Sequence, residues 1–207
     1  MKKIIFLSAL LIATLAFLNM TTDTDRTGAV VGEPAPDFSV ADAYGNVHSL
    51  SDYEGKYIIL EWLNHDCPFV VKHYNGNNMQ ELQKKYTDKG VIWLSVISSV
   101  PGTQGYLEPE EAQELTKEKN AHPTAVLLDT DSVMGRAYDA RVTPHMYIIN
   151  PEGILEYNGA IDDRPTARIR DLEGARNYIV EAMDALMSGE EVAVRSNTPY
   201  GCTVKYE

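Results

Sequence analysis

The chain is sparing with the side chains that carry most chemistry. Its 207 residues hold two cysteines, five histidines and two tryptophans. Two cysteines allow one intrachain disulfide at most, so no disulfide framework supports the fold. Lys and Arg number 18 against 30 Asp and Glu, a formal net charge of −12. With no basic run and no interleaving of Arg with aromatics, no nucleic acid and no anionic membrane surface is an expected partner, and the acidity reads as solubility. A phosphate-cradling glycine loop, His-Glu-x-x-His and Gly-x-Ser-x-Gly are all missing, which removes sequence grounds for nucleotide binding, zinc proteolysis and serine hydrolysis. Glu110-Glu111 and Glu190-Glu191 read as solvated faces rather than acid/base pairs. No internal repeat or low-complexity tract occurs.

One long apolar run is present, residues 4–18, broken only by Ser8 and Thr14 and preceded by Met1-Lys2-Lys3. At about 15 residues it falls short of the roughly 20 needed to span a bilayer, and it has the form of a secretory signal peptide. The expected division is a signal peptide or N-terminal anchor over residues 1–20, a polar linker over 21–30, and a folded domain over 31–207 whose tail is irregular from about 190. The protein is thus expected to be exported, periplasmic or extracellular, and membrane-associated only if the N-terminal segment is uncleaved. Such compartments are oxidising enough to hold one disulfide.

What is present is an alternation of element types. Residues 57–63 and 91–97 are nearly continuous apolar β-formers, as in strands covered on both faces. Met79, Leu82 and Tyr86 repeat at helical spacing, and Pro109 followed by two glutamates opens a thin-faced peripheral helix running to about Lys119. Further strands are expected at 124–128, 145–150 and 154–157, with a short helix at 131–138 and the tight turn Asn150-Pro151-Glu152-Gly153 between the last two strands. Leu172, Ala175, Ile179, Met183 and Leu186 mark one face of a closing helix. Alternation followed by a hairpin predicts an α/β fold with a central, partly parallel sheet and helices on both faces.

Cys67 stands at the first strand-to-helix junction, in Asn64-His65-Asp66-Cys67-Pro68-Phe69-Val70. Unsatisfied N–H groups and the positive dipole end of a helix favour the thiolate, the reactive form. Pro68 suits the first helical position. Lys72 and His73, about a turn and a half on, are placed to add positive potential, while Asp66 opposes it. The competing reading is a buried structural cysteine. Cys202, in the tail, is the candidate resolving partner; a static Cys67–Cys202 clip and an unpaired Cys202 are the alternatives. His65, Cys67 and His73, with His122 or His145, are of ligand type, but no metal and no cofactor is expected; His73 reads as a solvated helix residue. Arg141 reads as a surface arginine and Trp62 as core.

The order of elements resembles the thioredoxin-like fold. Gly32-x-x-Ala35-Pro36-Asp37-Phe38, then Gly45, Leu50-Ser51-Asp52-Tyr53 and Gly55-Lys56, is similar to the opening, with its N-terminal β-hairpin extension, of redoxins of the alkyl hydroperoxide reductase/thiol-specific antioxidant (AhpC/TSA) family. Val142-Thr143-Pro144 resembles the cis-proline loop of thioredoxin-like proteins. Together with Asn64-His65-x-Cys67-Pro68-Phe69-Val70, Tyr138-Asp139-Ala140 and Gly201-Cys202-Thr203-Val204-Lys205, these motifs resemble the peroxiredoxin-like subgroup.

The resemblance implies a cis Pro144 near Cys67 and a Thr143 backbone able to pair with a substrate strand. It also implies a protein thiol/disulfide or peroxide as substrate and an external thiol as reductant. Two departures qualify it. Val70 replaces the second cysteine of Cys-x-x-Cys, whose thiol resolves the mixed disulfide. Leu60 and Asn64 replace the proline and threonine of the peroxiredoxin Pro-x-x-x-Thr-x-x-Cys motif. The expected function is therefore thiol-dependent redox chemistry at Cys67, as a thiol–disulfide oxidoreductase or peroxiredoxin-like antioxidant. A non-catalytic binding protein of the same fold, and a metal-binding redoxin, are the alternatives.

Overall fold

Residues 58–62 bury every side chain, and the two-residue period of a strand sends Ile58, Leu60 and Trp62 to one face and Ile59 and Glu61 to the other. A strand buried on both faces must lie inside a sheet. The computed structural model, which describes residues 28–206, places it at the centre. The strands are β1 (Ser39–Ala41), β2 (Val47–Ser49), β3 (Ile58–Trp62), β4 (Ile92–Ile97), β5 (Ala125–Leu128), β6 (Val142–Thr143), β7 (His145–Ile149), β8 (Leu155–Gly159) and β9 (Cys202–Thr203). The helices are α1 (Pro68–Asn75), α2 (Asn78–Thr87), α3 (Pro109–Glu118), α4 (Val133–Ala137) and α5 (Tyr178–Met187).

The main sheet has the order β5-β4-β3-β7-β8. Pairing is parallel from β3 to β4 and β4 to β5, and antiparallel from β3 to β7 and β7 to β8. β1 and β2 form the N-terminal hairpin. This mixed sheet between helices is the thioredoxin-like fold. On one face Ile59, Trp93, Ile97, Met146 and Ile148 pack against Val70, Met79, Leu82, Tyr86, Ile179 and Met183 of α1, α2 and α5. On the other, Ile58, Leu60, Trp62, Leu94 and Tyr147 meet Met134, Tyr138, Phe38 and, from the tail, Val204. Each such aliphatic side chain contributes about 1.5–3 kcal/mol when fully buried. Trp62 keeps its polar atom satisfied in the core, donating from Nε1 to Ser98 Oγ at 3.0 Å.

Two expected helices differ in extent. The pattern after Cys67 is broken between α1 and α2, where Asn77 adopts a left-handed φ of 57° and the side chain of Leu172 lies over Gly76, leaving no room there for a Cβ. The closing helix does not include Leu172 or Ala175. Leu172 ends a separate 3-10 turn, Ile169–Leu172, and α5 starts later because the Asn177 side chain caps it, accepting from the Ile179 and Val180 N–H groups at 3.0 Å. The tail is not wholly irregular, since β9 pairs with β6. The segment read as signal peptide or anchor lies outside the described residues, among which no helix is long and apolar enough to cross a membrane.

Candidate redox site

The centre of the sheet delivers the chain to Cys67. After β3, the Asn64 side chain accepts from the Asp66 N–H at 2.9 Å, and the Cys67 N–H returns to the Asn64 carbonyl at 3.0 Å. That turn leaves Cys67 with extended backbone as the N-cap of α1, with Pro68 as the first helical residue. Cys67 is fully buried, at 0% exposure. Its cover comes from two segments remote in sequence. The Thr143–Pro144 peptide is cis, and the Thr143 carbonyl lies 3.1 Å from Cys67 Sγ. β9 runs antiparallel to β6 with Cys202 opposite Thr143, and the Cys202 N–H points at Cys67 Sγ at 3.4 Å. The close approach depends on Gly201. It has φ +146°, and a Cβ there would sit 1.9 Å from the Thr143 carbonyl oxygen.

The structure thus brings together the four residues singled out by sequence: Cys67, Thr143, Pro144 and Cys202. Both cysteines are free thiols. Burial alone pushes the Cys67 thiol up. The Cys202 thiol, the Val70 N–H, the Thr143 side chain and the Cys202 N–H all favour the anion and outweigh burial, so Cys67 ionises below the ordinary thiol range. As a thiol, Cys67 donates instead to the Thr143 carbonyl, a bond it loses on ionising. Cys202 moves the other way. Burial, its hydrogen bond to Cys67 and the Cys67 charge push it up to about 12. Of the two thiols, Cys67 is the more acidic.

Lys72 and His73 do not serve this thiolate. Both are buried and enter a cluster with the tail. Lys72 Nζ lies 3.4 Å from Asp162 Oδ2 and donates to the Arg164 carbonyl at 2.9 Å and to the Tyr200 hydroxyl at 3.0 Å. His73 is a core residue, not a solvated one. Burial and the nearby Lys72 charge lower it to about 3, and it is neutral. The Asn78 amide donates to His73 Nδ1 at 2.8 Å, which leaves Nε2 to donate to Tyr200 at 3.3 Å. Asp66 is exposed, so water screens its charge. Arg141 is a surface arginine, 3.3 Å from Asp139. His65 stacks edge-on against Tyr74, His122 is exposed, and His145 is buried against Asn158 at 2.8 Å.

A family model for the AhpC/TSA family matches residues 31–158. The chain belongs to the AhpC/TSA family. A thiol-disulfide oxidoreductase ResA of Geobacillus kaustophilus is 27% identical over 156 residues, covering 73% of this chain and 84% of that protein. A thioredoxin peroxidase of Echinococcus granulosus is 30% identical over 159 residues, covering 69% and 77%. The crystal structure of an uncharacterized conserved protein from Geobacillus kaustophilus superposes with a TM-score of 0.73 at 27% identity, over 86% of this chain and 93% of that one.

Two features of this AhpC/TSA chain escape a reading by periodicity. One is the Lys72–Asp162–Tyr200 cluster, whose members are scattered along the chain. The other is Glu61, at 0% exposure in the middle of β3. Tyr74 Oη, Gln83 Nε2, Trp93 Nε1 and Ser95 Oγ donate to its carboxylate at 2.9, 3.1, 2.8 and 3.0 Å. Burial pushes the carboxyl up against the opposing pull of these four donors. A lone acid inside an apolar strand run was the available signal.

Proposed function

We propose that this protein is an exported thiol–disulfide oxidoreductase that cycles between a Cys67/Cys202 dithiol and an intrachain disulfide. The observation that carries this reading is the approach of Cys202 to Cys67: β9 sets Cys202 opposite Thr143, and the Cys202 N–H lies 3.4 Å from the Cys67 sulfur. Cys202 supplies by tertiary contact the second thiol that Val70 fails to supply locally. In the first step the Cys67 thiolate attacks a partner disulfide, R–S–S–R′. A Cys67–S–S–R bond forms and R′–S⁻ leaves. In the second step Cys202, having lost its proton to solvent, attacks the Cys67 sulfur and releases R–S⁻. The partner is reduced by two electrons and the enzyme oxidised by two. An external dithiol then restores both thiols.

Peroxide chemistry is the second reading, supported by the thioredoxin peroxidase relative. There Cys67–S⁻ takes one oxygen from ROOH, releasing ROH. The resulting sulfenic acid condenses with the Cys202 thiol to a disulfide and water. Disulfide exchange is preferred because Asn64, standing where the peroxidatic motif has threonine, is turned away: its side chain accepts from the Asp66 N–H and donates to the Gln104 carbonyl at 3.4 Å.

The test is a stopped reaction of the purified domain with oxidised glutathione and, separately, with hydrogen peroxide, followed by mass spectrometry. Loss of both thiols with an intrachain bond in the parent, and a trapped glutathione adduct in Cys202→Ser, are expected. A parent that keeps two free thiols under both oxidants would overturn the function. Peroxide turnover without disulfide turnover would select the second reading.

A further inference from the structure

The tail reaches Cys67 suspended between two anchors. On the far side Val204 is buried in the core, and its N–H donates to the Arg141 carbonyl at 3.0 Å. On the near side Tyr200 is held through its side chain. Its hydroxyl donates to Asp162 Oδ1 and accepts from Lys72 Nζ and His73 Nε2, and its ring packs edge-on against Phe69 with centroids 5.7 Å apart. Lys72, His73 and Phe69 all belong to α1, the helix that Cys67 caps. Asp162 comes from the stretch after β8 and is itself buried, with its Oδ1 accepting from the Arg164 N–H at 2.9 Å.

Gly201 offers no side chain to fix the chain between Tyr200 and Cys202. Its approach to Thr143 leaves the strand no slack on that side. Tyr200 is thus the side-chain anchor next to Cys202 on its N-terminal side, beyond the pairing of β9 with β6.

Building on the dithiol cycle proposed above, we infer that Lys72, Asp162 and Tyr200 are positioning residues that latch the tail to α1 and set Cys202 against Cys67. The latch has two opposed effects. Closed, it speeds attack of Cys202 on a Cys67 mixed disulfide, because β9 already holds Cys202 opposite Thr143 with its N–H 3.4 Å from Cys67 Sγ. It also covers Cys67 and occupies the Thr143 backbone edge with β9, so a partner disulfide gains Cys67 only when the tail lifts. Weakening the latch should move these two steps in opposite directions.

The experiment uses Tyr200→Phe, which keeps the ring on Phe69 and removes only the hydroxyl, with Asp162→Asn as a second variant. Three readouts are compared with the parent, each in protein shown to be folded by its melting transition. These are the rate of intrachain closure after Cys67 is converted to a mixed disulfide with 5,5′-dithiobis(2-nitrobenzoate), the equilibrium constant of the Cys67–Cys202 disulfide in a glutathione buffer, and the alkylation rate of Cys67 in a Cys202→Ser background.

Closure about tenfold slower, an equilibrium constant about tenfold lower (about 30 mV for a two-electron couple) and alkylation several-fold faster are expected. Closure and equilibrium within twofold of the parent in either folded variant would overturn the latch. So would closure and alkylation that change in the same direction. If the parent itself never closes the disulfide, the cycle fails rather than the latch.

Discussion

The acidity of Cys67 rests on a donor that can be removed one atom at a time. Cys202→Ala takes away the side chain that lowers Cys67 most and leaves the Cys202 backbone N–H in place. Hydrogen bonds to a charged group contribute about 1.5–3 kcal/mol, and S–H is a weak donor, so the lower end applies. At about 1.4 kcal/mol per unit, the Cys67 pKa should rise by about one unit. The thiolate fraction then falls by up to tenfold at a pH below both values. The more basic sulfur is about threefold more nucleophilic at a Brønsted coefficient near 0.4–0.5, so the alkylation rate should fall only about threefold.

The assay is the rate of iodoacetamide reaction against pH. Cys202 does not confuse it, because a thiol pushed up to about 12 stays protonated through the titration. Cys202→Ser retains an O–H donor and should leave the Cys67 pKa within about half a unit of the parent. An unchanged pKa in Cys202→Ala, or an equal rise in Cys202→Ser, would refute the argument that the neighbouring thiol stabilises the anion.

Three further outcomes are expected. Gly201→Ala places a Cβ 1.9 Å from the Thr143 carbonyl oxygen, so β9 must leave β6; Cys67 alkylation in the folded protein should rise at least tenfold, and an unchanged rate would refute the close approach. Burial, with a nearby positive charge opposing protonation of His65 and His73, lowers His73 to about 3 and His65 and His145 to about 4. The unfolded chain takes up these protons first, so stability is full above pH about 7 and falls by about 2 kcal/mol per histidine by pH 5. His73→Gln should remove about one third of that fall in urea unfolding, and an unaltered pH slope would count against it. Glu61→Gln turns an amide N–H₂ toward donors that need an acceptor and should destabilise by about 2–4 kcal/mol; a urea midpoint equal to the parent's would show that the four donors are not serving the carboxylate.

The sheet was legible because its strands are buried on both faces and announce themselves as apolar runs. β3, β4, β5 and β7 lie within a residue or two of their expected ends. Helix ends were less so. The periodicity that joins Leu172 to Ile179 is genuine as a set of apolar positions, yet a cap at Asn177 ends the helix there, and spacing alone does not see a side chain accepting two backbone N–H groups.

Cys67, Thr143 and Pro144 were singled out from position and motif. The meeting with Cys202 was open, because a contact between residues 135 apart is decided by the whole fold. His73 misled for a related reason. A histidine on a helix is usually solvated, but here Asn78, Asp162 and, from the tail, Tyr200 enclose it. Lys72, Asp162 and Tyr200 are three ordinary polar residues in sequence, and only the folded chain brings α1, the stretch after β8 and the tail together at them.

Moving the second thiol from the helix to the tail changes what the disulfide reports. In a Cys-x-x-Cys pair the sulfurs are neighbours in any helical turn, so the bond constrains little of the chain. Here Val70 fills the local position and is buried in the core, and the partner thiol is brought by a strand 135 residues on. Closing a loop of that length removes about 5 kcal/mol of freedom from the unfolded chain in the chain-entropy model. That is a large share of the 5–15 kcal/mol that holds a typical domain together. By linkage the relation is reciprocal: the fold raises the effective concentration of Cys202 at Cys67, and the bond, once made, stabilises the fold by a comparable amount. The oxidising strength of the pair is therefore tied to how firmly the tail is seated, and a buried cluster on α1 holds that tail. The redox chemistry proposed for Cys67 and the docking of the last residues of the chain are, on this geometry, one equilibrium.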